Sequence, residues 1–118
     1  MAVLVVQNIA AAGLKPAYTA VNASDTAILN QAQRNFLHVK NGGGSPINVT
    51  ITAVKTSARV QGVGVVTVSD RVVAVPAGEE RMIGPITEAY LDTDGEVTIG
   101  YSGTTSVTAG MFSLPAAY

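Results

Sequence analysis

Residues 34–54, RNFLHVKNGGGSPINVTITAV, decide how this chain folds. They read as two strands, 34–40 and 47–54, joined in a central hairpin by the loop Asn41-Gly42-Gly43-Gly44-Ser45-Pro46. That loop suits neither helix nor strand. Three glycines favour positive φ and raise the entropy cost of ordering, and Pro46 removes a backbone donor. The second strand alternates, with Ile47, Val49, Ile51 and Ala53 on one face and Asn48, Thr50 and Thr52 on the other. A period of two marks a half-buried strand of an antiparallel sheet.

The rest of the chain has the same character. Its 118 residues suit a single domain over 1–118 with one core. Hydrophobic residues make up 47% and charged residues 13%, which argues against disorder. Seventeen valines and twelve threonines supply β-branched side chains that favour strands. No cysteine is present, which excludes disulfides, thiolate catalysis and Cys-based metal sites.

Outside the central stretch, residues 3–6 form an apolar run, read as an edge strand or an arm. Residues 8–16 are Ala-rich and hold at most one helical turn before Gly13 and Pro16 stop it. Further strands are expected over 18–21, 26–29, 63–68, 72–75, 79–83, 97–101 and 105–112. Residues 30–33 and 55–62 are expected as polar loops, and 113–118 as an extended tail. Gly62 and Gly64 suggest a bulge or a close backbone approach. Asp92-Thr93-Asp94-Gly95 is a hairpin-turn signal. In the strand that follows, Val97, Ile99 and Tyr101 point inward; in the last, Val107, Ala109 and Met111 share a face. About eight short strands with closely spaced turns predict an all-β, antiparallel β-sandwich, jelly-roll or immunoglobulin-like, with an N-terminal arm over 1–18.

The start of the chain, MAVLVVQNIAAAGLKPAY, faintly resembles a secretory leader. It lacks a basic n-region, its first lysine being Lys15, and its apolar part is too short and too broken to span a bilayer. It reads as mature protein made in a cytoplasm, with no membrane partner. A net charge of −1 and 5% aromatic residues give no footprint for nucleic acid. The charge is uneven, however. Residues 1–59 carry five basic residues against Asp25 alone, and residues 60–118 carry Arg71 and Arg81 against seven acids. A sandwich that interleaves the two halves cancels this asymmetry; a dipolar subunit uses it to meet neighbours.

Chemical motifs are sparse. His38 is the single histidine and has no Ser or Asp partner nearby in sequence, so it reads as structural. Gly-x-Ser-x-Gly is absent. The glycines at 42–44 are followed by a strand, which rules out a P-loop, and Gly62-Val63-Gly64 lacks the rest of a dinucleotide motif. Asp92–Glu96 invites a surface calcium ion, but turn composition accounts for every residue of it. These observations name no catalytic residue, cofactor or metal ligand and lead away from an enzyme.

One resemblance adds to this reading. Arg34-Asn35-Phe36-Leu37-His38-Val39-Lys40-Asn41-Gly42 is followed by Val49-Thr50-Ile51, Val75-Pro76-Ala77-Gly78-Glu79-Glu80, Ile83-Gly84-Pro85 and Gly95-Glu96-Val97-Thr98-Ile99-Gly100-Tyr101. Over roughly residues 20–111 this succession resembles a group of small β-sandwich virion proteins of tailed bacteriophages, head decoration (cement) proteins among them. The resemblance implies a structural protein on the capsid surface, made in the host cytoplasm. Its partner would be the major capsid protein, and a homotrimer at three-fold or quasi-three-fold points follows by analogy. Two other classes stay open: a tail, neck or head–tail joining component, and a carbohydrate-binding or adhesin module. The apolar N-terminal segment is the candidate contact, through Val3, Leu4, Val5, Val6, Ile9 and Leu14. It is expected either to add to a neighbour's sheet edge or to form an edge strand of its own fold.

Overall fold

Strands form where β-branched residues cluster. In chain order they are β1 (Val3–Leu4), β2 (Val6–Asn8), β3 (Thr19–Ala20), β4 (Ser24–Ile28), β5 (Arg34–Asn41) and β6 (Ile47–Ile51). After these come β7 (Ser57–Val60), β8 (Gly64–Thr67), β9 (Arg71–Val75), β10 (Glu80–Ile83), β11 (Glu96–Tyr101) and β12 (Val107–Leu114). A computed structural model describes residues 3–29, 34–54 and 57–114. The expected loop over 30–33, the first two residues of the 55–62 loop, the tail from Pro115, and Met1 and Ala2 of the arm lie outside the described residues.

The strand count exceeds the expected eight or so for two reasons. The N-terminal run continues into β2, and β7 forms in a stretch expected to be loop. Residues 8–16 form a turn, Gly13 N–H donating to Ala10 O at 2.9 Å, and no helix.

Two five-stranded sheets pack face to face as a sandwich. One runs β1-β4-β11-β6-β9. The other runs β10-β5-β12-β2, with β3 also paired to β12. Pairing is antiparallel except at the N-terminal segment, where β1 lies parallel to β4 and β2 parallel to β12. Both sheets are therefore mixed, not purely antiparallel as expected. The cause is local: residues 3–8 run one way while crossing from the first sheet to the second at Val5, and β4 and β12 both run in that direction.

The expected faces hold. Val97, Ile99 and Tyr101 of β11 meet Leu37 and Val39 of β5 and Val107, Ala109 and Met111 of β12 in one core. Leu37, Val39, Val97 and Ile99 are fully buried.

The central hairpin does not form. β5 and β6 lie in opposite sheets, so residues 42–46 arch over the end of the core. Both strands have one strongly apolar face, and stacking those faces across the core buries more than pairing the strands side by side. Asn41 closes the arch from within. Its Nδ2 donates to Ser45 O at 2.9 Å and to Val75 O at 3.1 Å, and its Oδ1 accepts from Gly43 N–H at 3.0 Å. Gly43 has no room for a side chain, since a Cβ there would sit 2.7 Å from Thr105 O.

Asn41→Ala strips partners from two carbonyls and one N–H, and should lower stability by roughly 2–4 kcal/mol in urea unfolding. The exposed Asn48→Ala serves as control and should stay within about 0.5 kcal/mol. Tyr101 yields a second expectation. Its buried hydroxyl has no hydrogen-bond partner among the described residues. Burial first, and then the charge of Asp25, push its phenol well above the ordinary value. The unfolded chain therefore ionises Tyr101 at about pH 10 while the folded chain keeps it neutral. The stability from this difference is complete below that pH and is lost as pH rises above it. Tyr101→Phe should be neutral or slightly stabilising at pH 7. It should also flatten the loss of stability between pH 9 and 11 relative to the parent, measured by denaturant unfolding at each pH (roughly that window, about one unit either side of the unfolded value).

Candidate functional site

The outer face of the second sheet gathers side chains of several chemistries. Alternation along β5 sends Phe36, His38 and Lys40 outward. Register sets Met82 of β10 and Gly110 of β12 either side of His38, Glu80 and Thr108 either side of Lys40, and Phe112 beside Phe36. This face is not open. Residues 9–18 run back across it as a strap, so His38 is only 5% exposed and both faces of β12 are covered.

The strap is held at three places. Ile9 N–H donates to Ser113 O at 2.9 Å. The Gln7 carboxamide imitates a backbone pair with Ala17, donating to its O at 2.7 Å and accepting from its N–H at 2.8 Å. Tyr18 then turns onto the sheet. Its ring meets the His38 ring edge-on, with centroids 5.3 Å apart, and leans on Phe112, which stacks on Phe36. The Lys40 ammonium sits 3.9 Å from the centroid of the Tyr18 ring, a cation–π contact. The strap can lie this close because residue 110 is glycine: a Cβ there would be 2.9 Å from Ala17 O and 3.0 Å from the Phe112 ring.

His38 joins three elements. Its Nε2 lies 2.9 Å from Glu80 Oε1 and its Nδ1 2.7 Å from the Tyr18 hydroxyl. An ionised carboxylate only accepts, so Nε2–H donates to Glu80. In the neutral ring Nδ1 then accepts the Tyr18 O–H. The carboxylate–imidazole–phenol order resembles a proton relay, but both ring nitrogens are spent on protein partners. The arrangement acts as a clamp that fixes the strap to β5 and β10. The structural reading of His38 agrees with this geometry. Sequence reading missed Tyr18 and Glu80 because they lie 20 and 42 residues from the histidine.

Beside the clamp runs a groove of about 280 Å³, walled by Ile9, Leu14 and Pro16 of the strap and floored by Phe36, Phe112 and the exposed Met82. It is apolar and suits a hydrophobic side chain. The expected contact residues separate here. Ile9 and Leu14 line the groove. Val3 and Val5 stay exposed on the edge, and Val6 is half-buried against the core. Leu4 departs from the expectation: at 6% exposure it faces the chain's own core, because its outward neighbours Val3 and Val5 take the solvent side of the strand. The N-terminal segment thus forms edge strands on its own sheets.

At the end of the sandwich where β11 begins, Asp92 Oδ1 accepts the N–H groups of Asp94 and Glu96 at 2.8 and 3.0 Å, and Gly95 takes positive φ. Asp92–Glu96 is therefore a side-chain-capped turn. Among the described residues no three His, Cys, Asp or Glu side chains converge as metal ligands. Nor is any helix long and apolar enough to cross a membrane.

Gly110→Ala should lift the strap. Hydrogen exchange at the Ile9 and Ala17 amides is expected to quicken while the β6 and β11 amides stay protected, with a stability loss of roughly 1–3 kcal/mol. Tyr18→Phe should cause a smaller loss, about 1 kcal/mol, because it removes one hydrogen bond and keeps the ring. Unchanged exchange in the Gly110 variant would show that the strap does not depend on this close passage. No family model matches the chain, and neither the curated proteins nor the solved structures include a significantly similar one.

Proposed function

We propose that this chain is a structural virion protein that works by protein–protein contact, as a decoration (cement) protein on the outside of a tailed-phage head. Its partners would be the major capsid protein and its own copies, most simply as a homotrimer. The observation that carries the reading is the distribution of polar and apolar chemistry. The titratable side chains of the candidate site are turned on one another in a clamp, while Val3, Val5, Ile28, Val72 and Met82 are more than half exposed around the sheet edges and outer faces. Apolar side chains left at edges and faces suit docking on other protein surfaces. The family resemblance, which runs through β5, β6, β9, β10 and β11, supplies the kind of surface.

A neck, tail or head–tail joining role is the second reading. It is favoured by residues 57–67, a hairpin that pairs with neither main sheet, where the sequence reads as a loop over 55–62 and a strand over 63–68. A carbohydrate-binding role is disfavoured, since Tyr18, Phe36 and Phe112 pack on one another and offer no open aromatic platform.

The test is co-sedimentation of the purified chain with heads of the phage that encodes it. The chain should band with the heads, saturate at a fixed ratio to the capsid protein and raise the temperature at which heads release DNA. Chain left at the top of the gradient at every input would reject the decoration reading. The second reading predicts instead that the chain bands with tails or necks.

A further inference from the structure

β7 and β8 are joined by four residue pairs, from Ser57 with Thr67 to Val60 with Gly64, and hydrogen-bond to neither main sheet. Gly62 and Gly64, both at positive φ, make the turn. A two-stranded hairpin by itself is marginally stable in water, and needs a third strand or an apolar surface against it. The tip of this one is apolar instead of charged: Val63 is 72% exposed and Val65 65%. A ribbon with exposed valines that, among the described residues, hydrogen-bonds to neither sheet of its own subunit is built to be completed by another surface.

Charge and position identify that surface. Residues 57–67 contain one charged residue, the basic Arg59. Residues 92–96 contain three acids and no base. Asp94 is exposed, and Glu96 is directly in register with Ile28 of β4, an isoleucine 58% exposed on the outer face of the first sheet. One patch thus offers an apolar side chain rimmed by carboxylates; the hairpin offers exposed valines, and its sequence holds one basic residue and no acid. The two lie at the same end of the sandwich. β6 ends there, β9 and β11 begin there, and Val54 N–H donates to Ala89 O at 3.0 Å. Rotation about an axis parallel to the strands preserves height along them, so it brings the hairpin of one copy level with the patch of the next.

We propose that the 57–67 hairpin docks on the Ile28–Asp94–Glu96 patch of a second copy of this chain, a head-to-tail contact repeated around a closed ring. The contact is independent of what the ring binds, and so stands or falls apart from the virion reading.

Light scattering on the purified chain tests it. The parent should have a mass that is a multiple of the 12.0 kDa chain. The double variant Val63→Asp/Val65→Asp should have the mass of a single chain with an unchanged β-sheet circular dichroism spectrum. Arg59→Glu should also fall to a single chain, and Arg59→Glu combined with Asp94→Arg should regain the oligomer. A single-chain mass for the parent at the highest attainable concentration overturns the proposal. So does an oligomer that survives the double valine replacement, or a charge-reversed pair that fails to reassemble.

Discussion

The outer face of the β10–β5–β12 sheet carries Phe36, His38 and Phe112 in adjoining positions, and a face of that composition cannot be left in water without cost. The chain meets this constraint with its own residues 9–18. Much else follows from that. The strap must approach the sheet closely, so residue 110 has no side chain. It must be held in register without joining a ladder, so Gln7 supplies a side-chain imitation of a backbone pair. It must end on a fixed point, and the Tyr18–His38–Glu80 chain provides one that ties three separate elements together. The N-terminal segment also links the sheets, since β1 belongs to one and β2 to the other. The part of the sequence that looked most like a free arm is the part that closes one side of the sandwich.

How much was legible depends on the range over which each feature is encoded. The inward faces of β6, β11 and β12 were readable, because period-two alternation of Ile47, Val49 and Ile51 or of Val97, Ile99 and Tyr101 is local. The arch at 41–46 was not. Alternation shows that two strands each have an apolar face, but not whether those faces lie side by side or stacked. The hydrogen bonds that decide the matter come from the Asn41 side chain to Val75, 34 residues away. The strap was invisible for a related reason. Its Ala-Gly-Pro composition carries no period, and what holds it is backbone and side-chain polarity. β7 was missed because Ser57, Arg59 and Gln61 alternate with smaller apolar residues in a stretch too polar to read as half-buried.

The candidate site was the least legible part. A single histidine gives little to reason from, and the meaning of His38 comes entirely from Tyr18 and Glu80, which tertiary structure delivers. The charge asymmetry between chain halves proved to be a different thing in space. Asp70, Asp92, Asp94 and Glu96 collect with Arg34 and Arg71 at one end of the strands. At the other end the loops 42–46 and 102–106 carry no charge, while the connection 76–79 beside Asn41 brings Glu79, which pairs with Arg81 at 3.1 Å. Basic residues of the first half thus stand with acids of the second at both ends of the strands, Lys40 lying in register with Glu80.

The winding of the sheets also governs when the chain can fold. β11 lies between β4 and β6, and β12 between β5 and the N-terminal strands. These two strands come last in order, yet each occupies the middle of its sheet. Until they exist, β4 and β5 lack their main partners, and the pairs they finally make span between 66 and 80 residues. Contacts of that range are slow to close. During synthesis the first ninety or so residues would leave the ribosome with β4 and β5 lacking these central partners and with open, valine-rich edges, a state prone to wrong pairing. The sandwich is thus assembled in one late step, and its yield in a cell should depend on how quickly the final strands arrive.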